Sequence, residues 1–172
     1  MRSLGISLEK DVLTQYIDFF MESHSLSRLK LGVKRVLNNF RKRFKILLVT
    51  SRESKAQVEK ELRELGIREF FHHIITREYA AKYFGLTELP LYPFNQQRTI
   101  LYQCALQLSE TSPNQVVVVG DSPRELIPAK TLGMLPVAVQ TNINGRSDLE
   151  KITPYIITNI DELDRLDIFR HH

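Results

Sequence analysis

Two acidic residues, Asp121 and Glu125, follow four consecutive valines in the stretch VVVVGDSPRELIPAKTLGM, residues 116–134. An apolar run of β-branched residues reads as a strand buried on both faces. Gly120 and Asp121 then fall at its carboxyl end, where open parallel sheets bind ligands. Ser122 is placed to cap a following helix, with Pro123 in its first position and Glu125 three residues after the cap. One strand end therefore presents a carboxylate and, a helical turn on, a second. Mg²⁺ binds through few carboxylates and keeps several waters, so this pair suits Mg²⁺ beside a phosphate. The Ser122–Glu125 spacing is also that of a capping box, which needs no metal.

These residues need a scaffold, and the chain supplies one. With 172 residues, 42% of them hydrophobic, it can bury a core of its own. FKILLV, residues 44–49, reads as a strand ending at Thr50-Ser51. Helices are expected over 33–40, 53–65, 77–84, 96–108, 124–132 and 160–166, and further short strands over 73–75, 136–140 and 154–157. Gly66 and Gly133 close two of the helices. Residues 85–95 contain two prolines and read as loop. Residues 8–21 carry Leu8, Val12, Leu13, Tyr16, Ile17, Phe20 and Met21 at helical spacing, so a helix is expected there too. Alternating strands and helices give an α/β class with a parallel sheet.

Lys and Arg outnumber Asp and Glu by 24 to 20, a mild bias that permits anionic ligands without demanding them. No acid occurs between Glu22 and Glu53, while Arg28, Lys30, Lys34, Arg35, Arg41, Lys42, Arg43, Lys45 and Arg52 are all basic. The phenylalanines that interleave, Phe40 and Phe44, read as inward positions of a helix and a strand rather than as stacking platforms, so a solvated helix face outweighs a nucleic-acid surface. A single cysteine, Cys104, excludes an intrachain disulfide and points to a reducing, cytoplasmic setting. It lies among apolar helix residues and reads as core rather than nucleophile. The adjacent His72 and His73 would point to opposite faces of a strand and cannot share a metal readily. No run is long and apolar enough to cross a membrane. The terminal Arg170-His171-His172 is given no role.

Three segments together resemble the haloacid dehalogenase (HAD) superfamily of phosphohydrolases. They are Leu31-Gly32-Val33 through KILLVTSR, GDSPRELIPAKTLGM, and ITPYIITNIDEL. The resemblance implies a Rossmann-like parallel sheet with helices on both faces over residues 31–172, preceded by an N-terminal helical segment, 1–30, similar to a cap remnant. It implies that Thr50 holds a phosphate oxygen through its hydroxyl, with Ser51 or Arg52 assisting through a backbone N–H. A hydroxyl and amides at a strand end that leads into a helix favour an anion, although a Thr there also occurs as a simple cap. The resemblance further implies Mg²⁺ at Asp121, with Glu125 beside it.

The chain departs from the family pattern in two ways. The family's chemistry needs an Asp nucleophile at the end of a first strand, followed by Asp-x-Asp. There is no Asp-x-Asp, and the sequence offers no strand before Phe44. Asp18 in QYIDFFMES is the nearest stand-in, but it falls in helical periodicity and Phe20 takes the general-acid position. The family's lysine is also missing: none occurs between Lys82 and Lys130, where Tyr92 or Asn95 takes its place and Arg98 or Lys82 is the available substitute. Without the central nucleophile strand, the sheet must rearrange or take a strand from a partner chain or a second copy, because a buried gap leaves backbone groups unpaired at about 1–3 kcal/mol each. Two functions are therefore expected. One is an inactive family member that binds or regulates, with a phosphate-containing ligand or a protein partner. The other is a Mg²⁺-dependent hydrolase whose nucleophile part is missing from the chain or supplied by another.

Overall fold

The structure is a computed structural model, and it describes residues 14–17, 29, 31–90, 93–141 and 145–169. The strands are β1 (Thr14–Ile17), β2 (Ile46–Val49), β3 (His73–Ile75), β4 (Val116–Gly120), β5 (Leu135–Val139) and β6 (Ile156–Ile157). The helices are α1 (Val33–Arg41), α2 (Lys55–Glu64), α3 (Arg77–Tyr83), α4 (Phe94–Ser109), α5 (Pro123–Thr131) and α6 (Arg146–Glu150). All six strands are parallel, in the order β3-β2-β1-β4-β5-β6. The α/β class with a doubly wound parallel sheet is as expected.

The centre of the sheet corrects the sequence-based expectation. β1 lies between β2 and β4, pairing Gln15 with Ile46 on one side and Ile17 with Val119 on the other. The central strand is present in this chain, and neither a rearranged sheet nor a borrowed strand is needed to fill the position. The helix expected over 8–21 is replaced at 14–17 by strand; its other residues, including Asp18 and Phe20, lie outside the described residues, as does most of the segment 1–30. The physical reason is tertiary: four residues between two apolar strand edges complete two hydrogen-bond ladders there, and that overrides a local helical pattern.

Alternation across the strands divides the core. Ile46, Leu48, Val117 and Val119 face one side with Val36, Leu37, Phe40, Val58, Leu62 and Phe169, which come from α1, α2 and the chain's last turn. Leu47, Val49, Val116 and Val118 face the other side with Leu101, Tyr102, Cys104, Ala105 and Ala129 from α4 and α5. Successive strand side chains point to opposite faces, so the apolar runs at β2 and β4 serve both layers. The segment 160–166, expected as a helix, is instead a 3₁₀ stretch, Ile160–Arg165, opened by Asn159 and Glu162 in a capping box. Cys104 is fully buried, and burial pushes its thiol up to about 12. That agrees with a core role rather than a nucleophilic one.

Candidate functional site at the carboxyl end of the sheet

The strand order reverses direction between β1 and β4, and in open α/β sheets the ligand crevice opens beyond the carboxyl ends of the strands at that point. Four described segments converge there: Val49–Arg52 at the end of β2, Gly120–Ser122 at the end of β4, and the first turns of α4 and α5. Asp18 follows Ile17 directly in the sequence and lies outside the described residues.

Thr50 is buried, and its backbone N–H donates to the Ile75 carbonyl at 2.9 Å, which fixes the end of β2 against β3. Its Oγ1 accepts the Arg52 N–H at 3.3 Å. That turn consumes one of the two amides expected to assist a phosphate and leaves the hydroxyl proton to donate. The Arg52 side chain is turned away, paired with both oxygens of Glu61, one contact being 2.7 Å. Its hydrogen bonds hold the Glu61 carboxyl below its ordinary range.

Asp121 is half-buried at the end of β4. Ser122 caps α5 as expected, its Oγ accepting the Arg124 N–H at 3.1 Å. Glu125 does not reach back to the cap residue itself: its Oε2 accepts the Asp121 N–H at 3.2 Å. That carboxylate lies over Gly120, where a Cβ would come within 2.5 Å of Oε2 and force the carboxylate to shift. Glu125 is buried, and its Oε1 stands 3.6 Å from Nη2 of Arg98. Both carboxylate oxygens thus have work that needs no metal. Among the described residues no group of three or more His, Cys, Asp or Glu could hold a metal ion.

Arg98 is the residue whose place the sequence left open. It is only 7% exposed, on the inner face of α4. Its Nη1 donates to the Val49 carbonyl at 3.5 Å, while Nη2 faces Glu125. Val49 closes β2 and Glu125 sits against the end of β4, and β1 runs between those strands. The guanidinium therefore spans the carboxyl end of β1. Tyr102, one turn further along α4, lies under it with the ring centroid 5.9 Å from the guanidinium carbon, and its O–H donates to the Glu125 carbonyl at 3.2 Å. A signal for Arg98 existed in the sequence: it falls three and four residues before Leu101 and Tyr102, on the apolar stripe of the helix, where a cation has no place without a partner. Of the other candidates for the missing cation, Lys82 lies in the last turn of α3 and is exposed, Asn95 is exposed, and Tyr92 lies outside the described residues.

The loop walls are tied down by Arg77, at the start of α3. Its N–H donates to the Arg52 carbonyl at 3.0 Å, Nη2 to Glu53 at 2.7 Å and Nη1 to the Leu89 carbonyl at 3.3 Å. Gln97 donates to the Pro90 carbonyl at 3.0 Å. His72 is used structurally, its Nδ1 accepting the Ile46 N–H at 3.1 Å.

A family model described as hydrolase, haloacid dehalogenase-like hydrolase, matches residues 5–133 and so includes β1. No curated protein matches the chain. Among solved structures, the chain is similar to a haloacid dehalogenase-like family hydrolase from Streptococcus pneumoniae, with 18% identity and a TM-score of 0.63 over 79% of this chain and 58% of that one. It is similar to a HAD phosphatase from Thermococcus onnurineus, with 22% identity and a TM-score of 0.63 over 80% and 57%. A HAD-type structure from Bacillus subtilis, described as bound to magnesium, matches with 19% identity and a TM-score of 0.62 over 81% and 55%. The chain thus spans less than two thirds of the length of each of these structures.

Proposed function

The chain belongs to the haloacid dehalogenase-like hydrolase family, and from that premise we propose that it is a phosphate-ester hydrolase whose site is assembled within this one chain. The observation that carries this reading is the Arg98 guanidinium, buried between Val49 and Glu125 at the end of the central strand. The sequence grounds for inactivity are the missing Asp-x-Asp, with no strand to carry it, and the missing lysine. In support of activity, β1 is a strand at that central place and Arg98 is a buried cation beside it.

In this reading Thr50 donates its hydroxyl proton to a phosphate oxygen, and Arg98 offsets the charge crowded between phosphate and carboxylates. Asp18 is the nucleophile: its carboxylate forms the bond to phosphorus as the bond to the leaving oxygen breaks, and water then hydrolyses the acyl phosphate. Glu125 is a positioning residue. It holds the Asp121 backbone through its N–H and orients Arg98. Asp121 is the carboxylate for Mg²⁺. One carboxylate together with a substrate phosphate is a donor set that Mg²⁺ accepts, and the ion would supply charge neutralisation at the phosphate.

The test is turnover of p-nitrophenyl phosphate with Mg²⁺, comparing the wild-type chain with Asp121→Ala and Asp18→Asn. Metal-dependent turnover that both substitutions abolish is the expected result. The leaving group suits the chain, since Phe20 stands where the family pattern places a general acid and p-nitrophenolate departs without a donated proton. Phe20 and the missing family lysine are also the features that favour a non-catalytic, phosphate-binding role. Saturable phosphate binding without turnover would establish that role instead.

A further inference from the structure

One helical turn outward from the Arg98–Glu125 pair, α4 and α5 meet a second time. Phe94 lies four residues before Arg98 on α4, and Arg124 lies beside Glu125 on α5. The Arg124 guanidinium carbon stands 4.7 Å from the centroid of the Phe94 ring. Arg124 is exposed and Phe94 half-buried. Among the described residues Arg124 makes no ion pair, so its guanidinium donors are held in place by an aromatic face and left uncommitted to any carboxylate.

Both helices point their N-termini toward the carboxyl end of the sheet, where the crevice opens. The two α4–α5 contacts therefore form two layers: Arg98 with Glu125 at the buried base, and Arg124 with Phe94 at the rim. An arginine stacked on an aromatic ring is oriented before ligand arrives, and its planar fork matches a carboxylate or phosphate.

We propose that Arg124, oriented by Phe94, is a specificity-determining residue that binds a second anionic group of the substrate. The substrate class is then a small phosphate ester carrying a second anionic group, a carboxylate or a second phosphate. This rests on the proposed function, in which the ester phosphate lies against Thr50 and Arg98. A substrate with a neutral tail would leave the rim guanidinium solvated and gain nothing from its orientation.

Isothermal titration with Mg²⁺ present tests this without requiring turnover. The probes are 3-phosphoglycerate and propane-1,3-diyl bisphosphate, each compared with glycerol 3-phosphate, which has no second anion. The wild-type chain is expected to bind at least one of the doubly anionic probes about tenfold more tightly than glycerol 3-phosphate, and which one it prefers separates carboxylate from phosphate recognition. Arg124→Gln is expected to bring that ratio close to one, and Arg124→Lys, which keeps the charge but not the fork, to lower it in part. Equal binding of all three probes by a chain that hydrolyses p-nitrophenyl phosphate overturns the role of Arg124 alone. A preference that survives Arg124→Gln overturns it as well. Failure of every probe to bind, with no hydrolysis, overturns the proposed function and this inference together.

Discussion

Arg98 and Glu125 face each other at 3.6 Å, both buried, across the boundary between α4 and α5. Two desolvated charges gain from each other only what burial has cost them, but removing one leaves the other stranded. Glu125→Ala should therefore destabilise the chain by about 3 kcal/mol, read by chemical denaturation. Glu125→Gln should cost less, because an amide oxygen can still accept the Asp121 N–H. The double substitution Arg98→Met with Glu125→Gln should recover much of the loss, since no buried charge remains. It should nevertheless bind phosphate no better than Arg98→Met alone. Recovery of stability without recovery of binding would show that the pair is kept for the ligand rather than for the fold.

Thr50 separates anion binding from capping. Its Oγ1 already accepts the Arg52 N–H, so a cap role uses the lone pair and a phosphate role uses the proton. Thr50→Ser keeps both. Thr50→Val loses both but keeps the shape of the side chain. A hydrogen bond to a charged group contributes about 1.5–3 kcal/mol. Thr50→Val should therefore raise the KM for p-nitrophenyl phosphate at least tenfold, with Thr50→Ser near the wild-type value. If Thr50 is only a cap, KM will not move and stability alone will fall.

Among the described residues, His73, Glu61 and Glu162 contribute to the pH dependence of stability with the same sign. Burial is the main cause that lowers His73 below its ordinary value of 6.5, with His72, Lys45, Lys55 and Arg68 adding repulsion. The unfolded chain then binds a proton that the folded chain resists, so stability falls as pH drops below about 6.5. Glu61 is lowered by its hydrogen bonds to Arg52, and its contribution is present above the ordinary carboxylate value and lost as pH falls through the lowered one. Unfolding free energy measured from pH 7.5 to 3.5 should decline in two stages. His73→Val should flatten the upper stage and leave the lower one. Arg52→Met should lessen the lower stage without abolishing it, because Glu162, lowered by its hydrogen bond from Thr158, titrates in the same range.

The sequence exposed the strands that are apolar throughout and hid the one that is not. Val116–Val119 can be buried on two faces without ambiguity, whereas Thr14-Gln15-Tyr16-Ile17 opens with two polar residues inside a run whose apolar spacing fits a helix. Only the edges of β2 and β4 decide between the two, and those edges are distant in sequence. Asp121, Ser122 and Pro123 were legible because a strand end and a helix cap are local. Arg98 was legible only as one of two substitutes for the missing lysine, because its partners lie 49 and 27 residues away, at Val49 and Glu125. α6, five residues long, is too short to show a period.

Gly32 links the family-like segment at the start of α1 to the chain's last turns. It adopts φ +87°, a conformation that L side chains resist, and a Cβ there would stand 1.8 Å from Oδ1 of Asp161. The same oxygen faces Arg35 at 3.2 Å across an exposed ion pair. Gly32→Ala thus meets two separate penalties: about 1–2 kcal/mol of backbone strain and about 1–3 kcal/mol of overpacking against the carboxylate. Asp161→Ala removes the steric one only, at the cost of an exposed pair that contributes at most about 1 kcal/mol. In a double-mutant cycle the two substitutions together should therefore destabilise by less than their sum, with the coupling equal to the overpacking component. Strict additivity would mean that Asp161 swings aside freely and that the whole cost of Gly32→Ala lies in the backbone.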